Sequence, residues 1–152
     1  MLVVSSHEEW VRAQLAHGRA TRAWAPDALF DAQTTEFKFV RPPRMFGFEP
    51  EHASWEVAAR ALERELAVAW PFDIALVAAG GYGMLACHFV HAQLNTSAVL
   101  LGGQLQLWFG IMGERWTHDE DVANAVTRNS DAWMRPPTGA APARSHPDSP
   151  YW

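Results

Sequence analysis

The chain has 152 residues, 49% of them hydrophobic and 19% charged, with a formal net charge of −5. This is globular chemistry, enough for one domain that buries roughly 68–70% of its unfolded surface, and it excludes a chain that is disordered throughout. The basic residues, eleven Arg and one Lys, are thinly spread. They form no basic stripe that could neutralise a phosphate backbone, which excludes nucleic acid as a partner.

A lone cysteine, Cys87, excludes an internal disulfide and fits a reducing compartment. The opening "MLVVSSHEEW" has neither a positive n-region nor a long apolar h-region, so it does not read as a signal peptide and a cytoplasmic location is expected.

In chain order, "LVV" at 2–4 is a short apolar run, and Ser5 or Ser6 is placed to cap a helix whose first turn carries Glu8 and Glu9. Trp10, Val11, Gln14 and Leu15 continue that helix to about Gly18. "TRAWAPDALFDAQ" reads as a loop. "TTEFKFV" alternates, with Phe37 and Phe39 on one face, and predicts a strand that "RPPR" stops. Trp55, Ala58, Ala59, Leu62 and Leu66 then recur at helical spacing, with Ser54 or an earlier residue as the cap.

"FDIALVAA" is apolar without alternation, as expected of a parallel strand covered on both faces. A helix from about Tyr82 to Leu94, a strand "SAVLL" and a helix from about Gln104 follow. Ile74 to Val90 approaches the length of a membrane span, but its glycines and the nearby His88 and His91 favour a strand, a turn and a core helix. Thr117 with Glu120 forms a capping-box pattern for a last helix. The Pro/Ser/Ala-rich residues 137–152 read as a tail, with Trp133, Tyr151 and Trp152 favouring a docked strap. Alternating strands and helices imply a single three-layer, Rossmann-like α/β domain over 1–136 with a mainly parallel sheet of about four strands.

Ligands of such domains bind beyond the carboxyl ends of the strands, where both glycine pairs fall. Gly81-Tyr82-Gly83-Met84-Leu85-Ala86 fits a G-x-G-x-x-A fingerprint after a strand. The acid that should end the next strand is missing, because that position reads Leu101-Gly102-Gly103-Gln104, so nicotinamide dinucleotide is disfavoured. Arg115 could clamp a phosphate or offset a helix dipole. Asp119 and Asp121 form a D-x-D string better explained as helix-start acids, and His88 with His91 lacks a third metal ligand.

The stretch "FDIALVAAGGYGMLACHFVHAQLNTSAVLLGGQLQLWFGIMGERW" resembles a bacterial glycosyltransferase family of the GT-D type. The likeness is carried by Gly81, Tyr82, Gly83, Gly102, Gly103, Leu105, Gln106, Phe109, Gly110, Ile111, Gly113, Arg115 and Trp116, with "AWMRPP" and the Tyr151-Trp152 ending also similar. Members with the full architecture carry an upstream "GDGE"-type acidic motif for metal and nucleotide-sugar, and these 152 residues have no counterpart to it.

The resemblance implies a glycosyltransferase-like domain, of the kind used in polysaccharide biosynthesis, that binds a nucleotide-sugar or related phosphorylated ligand. The expected ligand-binding residues are Gly81, Tyr82, Gly83, Gly102, Gly103, Gln104, Gln106, Arg115 and Arg135. Manganese or magnesium is the one cofactor left open, and no general base stands out. The alternative is a non-catalytic interaction or oligomerisation module that retains half of the fold. It would pair with itself or with a chain supplying a missing N-terminal half.

Overall fold

The computed structural model describes residues 1–25, 30–31, 33–43 and 51–136. The expected tail at 137–152 lies outside them. The regular elements are β1 (Leu2–Ser5), α1 (Glu8–Ala16), α2 (Arg19–Arg22), β2 (Lys38–Val40), α3 (Trp55–Ala69) and β3 (Ile74–Ala78). They continue with α4 (Gly83–Leu94), β4 (Ser97–Leu100), α5 (Leu105–Trp108) and α6 (Glu120–Arg128). The strands form one sheet in the order β2-β1-β3-β4, and each neighbouring pair is parallel. An all-parallel sheet flanked by helices is the α/β, Rossmann-like three-layer class that the apolar, non-alternating strands predicted.

The contacts divide the chain into two compact units: Met1–Glu8 with Glu36–Leu105, and Glu9–Thr35 with Gln106–Trp152. The first unit holds the whole sheet. Leu2, Val4, Val40, Ala75 and Val77 line one sheet face and pack against Ala58, Ala59, Leu62 and Leu66 of α3 and Ala86 and Val90 of α4. Val3 and Leu76 point to the opposite face and are also buried. Ser54 caps α3, its hydroxyl accepting from the Val57 N–H at 3.4 Å. Trp55, expected on the apolar stripe, is instead exposed, because the first residue of α3 precedes the sheet-facing positions. The apolar stretch from Ile74 becomes β3, a tight turn and the start of α4, and among the described residues no helix is long and apolar enough to cross a membrane.

The second unit is tied by one buried amide. Gln14 Nε2 on α1 donates to the carbonyls of Phe109, Gly110 and Ala132 at 2.9, 3.0 and 2.7 Å. Gly110 has φ +69°, and a Cβ there would meet Ala23 Cβ at 2.8 Å, Gln14 Nε2 at 2.9 Å and the Ala132 carbonyl at 3.0 Å. Met134 N–H donates to the Gly110 carbonyl, and Met112 N–H donates to the Met134 carbonyl, both at 2.9 Å. Trp24 Nε1 donates to Leu107 O at 2.7 Å and Trp133 Nε1 to Ala23 O at 3.2 Å, with the two rings edge to face at 5.3 Å. Trp133 is therefore docked, as its ring predicted.

α6 starts later than the capping-box pattern predicted. Its N-cap is Asp119, whose carboxylate accepts from the Val122 N–H at 3.0 Å, and Thr117 falls outside the helix. A carboxylate also meets the positive end of the helix dipole more favourably than a hydroxyl does.

Gly110→Ala should destabilise the protein by about 2–4 kcal/mol, combining left-handed backbone strain with overpacking. Urea denaturation followed by circular dichroism measures it. Gln14→Leu should cost about 2–4 kcal/mol in the same assay, since buried carbonyls lose their donor.

Candidate functional site

Because every strand pair is parallel, the carboxyl ends Ser5, Val40, Ala78 and Leu100 share one edge of the sheet. The chain lays β2 on one side of β1 and then returns to place β3 on the other. The order therefore reverses between β1 and β3, the kind of switch point outside which open α/β sheets bind ligands. The ladder between β1 and β3 ends with Ser5 opposite Ala78, so "Ser6-His7" and "Ala79-Gly80" are the first residues past it on their two strands.

Ser5 does not cap α1. It is buried as the last residue of β1, and its Oγ accepts from the His7 N–H at 3.1 Å, a local turn that ends the strand. His7 is held down to a pKa of about 4 because burial penalises the imidazolium. The switch point and its histidine are absent from the sequence-predicted site. The available signal was a histidine two residues past the first apolar run, but strand order is what gives it meaning.

The glycine pairs build the same device on adjacent strands. β3 ends, Ala79 follows, and Gly80–Tyr82 form a 3-10 turn that opens α4; β4 ends, Leu101 follows, and Gly102–Gln104 form a 3-10 turn that opens α5. Gly80 has φ +53° and Gly102 φ +55°, the left-handed region that an L side chain resists. Among the described residues, nothing beyond the chain neighbours lies within 4 Å of where a Cβ would sit on Gly80, Gly81 or Gly102. Leu101 N–H donates to the Val77 carbonyl at 2.9 Å, which draws the second turn against the end of β3.

Gly83 differs: it is buried, and a Cβ there would run into Leu100 Cδ1, so its bare backbone serves the packing of α4 on β4. Tyr82 is 7% exposed, and among the described residues its Oη has no hydrogen-bond partner. Burial, with a smaller contribution from the Glu56 carboxylate, raises its pKa and keeps the phenol neutral. Gly103 is half-buried and Gln104 exposed.

Gln106, Arg115 and Arg135 belong to the second unit. The Gln106 main-chain carbonyl accepts from the N–H groups of Phe109 and Ile111 at 3.2 and 3.0 Å, while its buried side-chain Nε2 has no acceptor among the described residues. The exposed Arg115 guanidinium lies 5.0 Å from the centroid of the Trp116 ring, and Arg135 Nη2 is 3.7 Å from Met112 Sδ. The structure thus brings Gly81, Tyr82, Gly83, Gly102, Gly103 and Gln104 to neighbouring strand ends of one unit, and Gln106, Arg115 and Arg135 fall in the other.

β4 ends without a carboxylate, so the ribose-binding acid of a nicotinamide site is missing from its expected position. Among the described residues no group of three or more His, Cys, Asp or Glu side chains could hold a metal ion. The D-x-D string is occupied in starting α6 through Asp119. No protein-family model, curated protein or solved structure matches the chain.

His7 makes stability depend on pH. Its folded pKa, about 4, lies below the ordinary 6.5, so the unfolded chain takes up the proton first on acidification. Stability should hold above pH 6.5, fall progressively between pH 6.5 and 4, and level off below 4 as far as His7 is concerned. The full loss from this group is at most about 3–4 kcal/mol. Denaturant titrations across that window, repeated with His7→Gln, should show the slope flatten in the variant.

Proposed function

We propose that the first unit is a glycosyltransferase-like domain that binds a nucleotide-sugar or a related phosphorylated ligand at the carboxyl edge of β1, β3 and β4. The observation that carries the reading is the pair of open glycine turns, at Gly80–Gly81 and Gly102–Gly103, beside the reversal of strand order. Bare backbone at these points allows an anionic group to approach the peptide amides closely, and the amino end of α4 adds partial positive charge. Gln104, exposed on the second turn, orients polar groups of the ligand. The sequence likeness to the GT-D type supports the ligand class, since it includes Gly81, Tyr82, Gly83, Gly102 and Gly103 at these turns.

In this reading the chain holds a diphosphate and stabilises it as it departs, the main contribution that preorganised donors make to group transfer. His7 is neutral at physiological pH and stands at the end of β1, where it donates or accepts one hydrogen bond without adding charge.

Thermal denaturation with UDP-sugars, with and without manganese and alongside NADH, tests the proposal. A ligand at one hundred times its dissociation constant should add about 2.7 kcal/mol of stability. Gly81→Val should remove that shift and keep the native circular dichroism, because Gly81 has ordinary φ and open space around it. Gly83→Val is a poorer probe because it acts through Leu100. The same titration on Arg115→Ala and Arg135→Ala decides whether either arginine neutralises the diphosphate. A stability unchanged by every UDP-sugar would overturn the reading.

A further inference from the structure

The two outer edges of the sheet are unlike. β2 is three residues long, begins with Lys38 and is followed closely by Pro42 and Pro43. Lysine and proline are the devices that keep an edge strand from pairing with another chain. Here Lys38 Nζ also reaches the carbonyls of Ala69 and Pro71, at 3.2 and 2.8 Å. β4, at the opposite edge, reads Ser-Ala-Val-Leu and carries none of these guards. Among the described residues no strand pairs with its outer side.

Three observations point to what covers it. Backbone direction comes first. Leu101 N–H is turned inward to Val77, and the polar groups of successive strand residues alternate in direction. Ala98 and Leu100 therefore aim their N–H and C=O groups outward. Next, the side chains along this edge are apolar and exposed: Val99 is 39% and Leu100 47% accessible, and Met84, in the first turn of α4 beside Gly83, is 74% accessible.

Charge decides the occupant. The segment from Ile74 to Gly113 contains no Asp, Glu, Lys or Arg, in a chain of net charge −5. A two-fold interface sets each residue against the same surface of its partner, so like charges at its centre repel. The β4–α4 edge is a surface on which two copies of this acidic chain meet without that repulsion.

We infer that β4 pairs antiparallel with β4 of a second copy, about a two-fold axis through Val99, to make one continuous sheet. In that register Val99 faces Val99 as a non-hydrogen-bonded pair with Cα atoms about 4.5 Å apart. Ala98 and Leu100 exchange hydrogen bonds with Leu100 and Ala98 of the second copy, which satisfies the four outward residues. The inference is independent of ligand binding, since its residues lie on the strand's outer edge.

Light scattering and sedimentation of the full chain over a dilution series test it. The wild-type chain should show the mass of a dimer that dissociates on dilution. Val99→Glu and Val99→Lys should each weaken association more than about tenfold through juxtaposed like charges. Mixing the two variants should restore the dimer, an outcome only a Val99–Val99 contact produces. Hydrogen exchange supplies a readout that needs no mutation: protection of the Ala98 and Leu100 amides should rise with protein concentration. A wild-type chain that stays monomeric throughout overturns the inference. So does a dimer whose Ala98 and Leu100 amides exchange freely, or one that both charged variants leave intact.

Discussion

The constraint on which the first unit depends is the double burial of β1. Leu2, Val3, Val4 and Ser5 are all inaccessible, and the strand is hydrogen-bonded on both edges, to β2 and to β3. A strand so enclosed has no solvent to fall back on, so every backbone polar group must be met by a neighbour. Its four residues thus fix the register of Lys38–Val40 on one side and Ile74–Ala78 on the other. The carboxyl end of β1, like that of β3, is then a place where the chain emerges between two neighbouring strands. Ser5 ends the ladder there by accepting from the His7 N–H, and the histidine that follows is drawn out of water far enough to lose its charge. The switch point and its neutral imidazole are consequences of sheet order.

A comparable role in the second unit falls to Gln14. One side-chain amide serves three carbonyls from segments about a hundred residues away in sequence. The close approach requires a residue without a side chain at position 110, in a backbone conformation glycine tolerates. Gly110 within "FGIMG" thus serves the hydrogen-bonded junction directly. The exposed ion pair between Arg22 and Asp131, at 2.8 Å, adds little beside it, because solvent screens both groups.

Much of this was legible before the structure. An apolar run without alternation marked β3 as a covered strand, the 3.6-residue stripe marked α3, and glycine pairs marked the turns. What was not legible depended on long-range geometry. Gln14 sits at a helical position that reads as a continuation of α1, and nothing local shows that its amide reaches Phe109, Gly110 and Ala132. Ser5 and Ser6 have the composition of a helix cap, and only the strand pairing shows Ser5 closing β1 instead. Asp119 prevailed over Thr117 as the α6 cap although the Thr117–Glu120 spacing fits the capping pattern. The site residues Gln106, Arg115 and Arg135 looked continuous with the glycine turns in sequence, but the chain passes from one unit to the other at Leu105–Gln106.

The duplicated glycine turns also separate two roles that one motif seems to combine. A parallel strand that must enter a helix within two residues needs a left-handed step, and Gly80 and Gly102 supply it at nearly equal φ. That need is met whether or not a ligand binds, so the left-handed glycines alone carry no chemistry. Gly83, which the fingerprint reading also requires, is accounted for by its packing against Leu100. Gly81 is the informative residue, since its φ is ordinary and among the described residues nothing beyond its chain neighbours lies within 4 Å of its missing side chain. Neither backbone strain nor packing requires a glycine there. Gly81 is therefore the position at which the proposed ligand approach and a purely structural turn lead to different expectations.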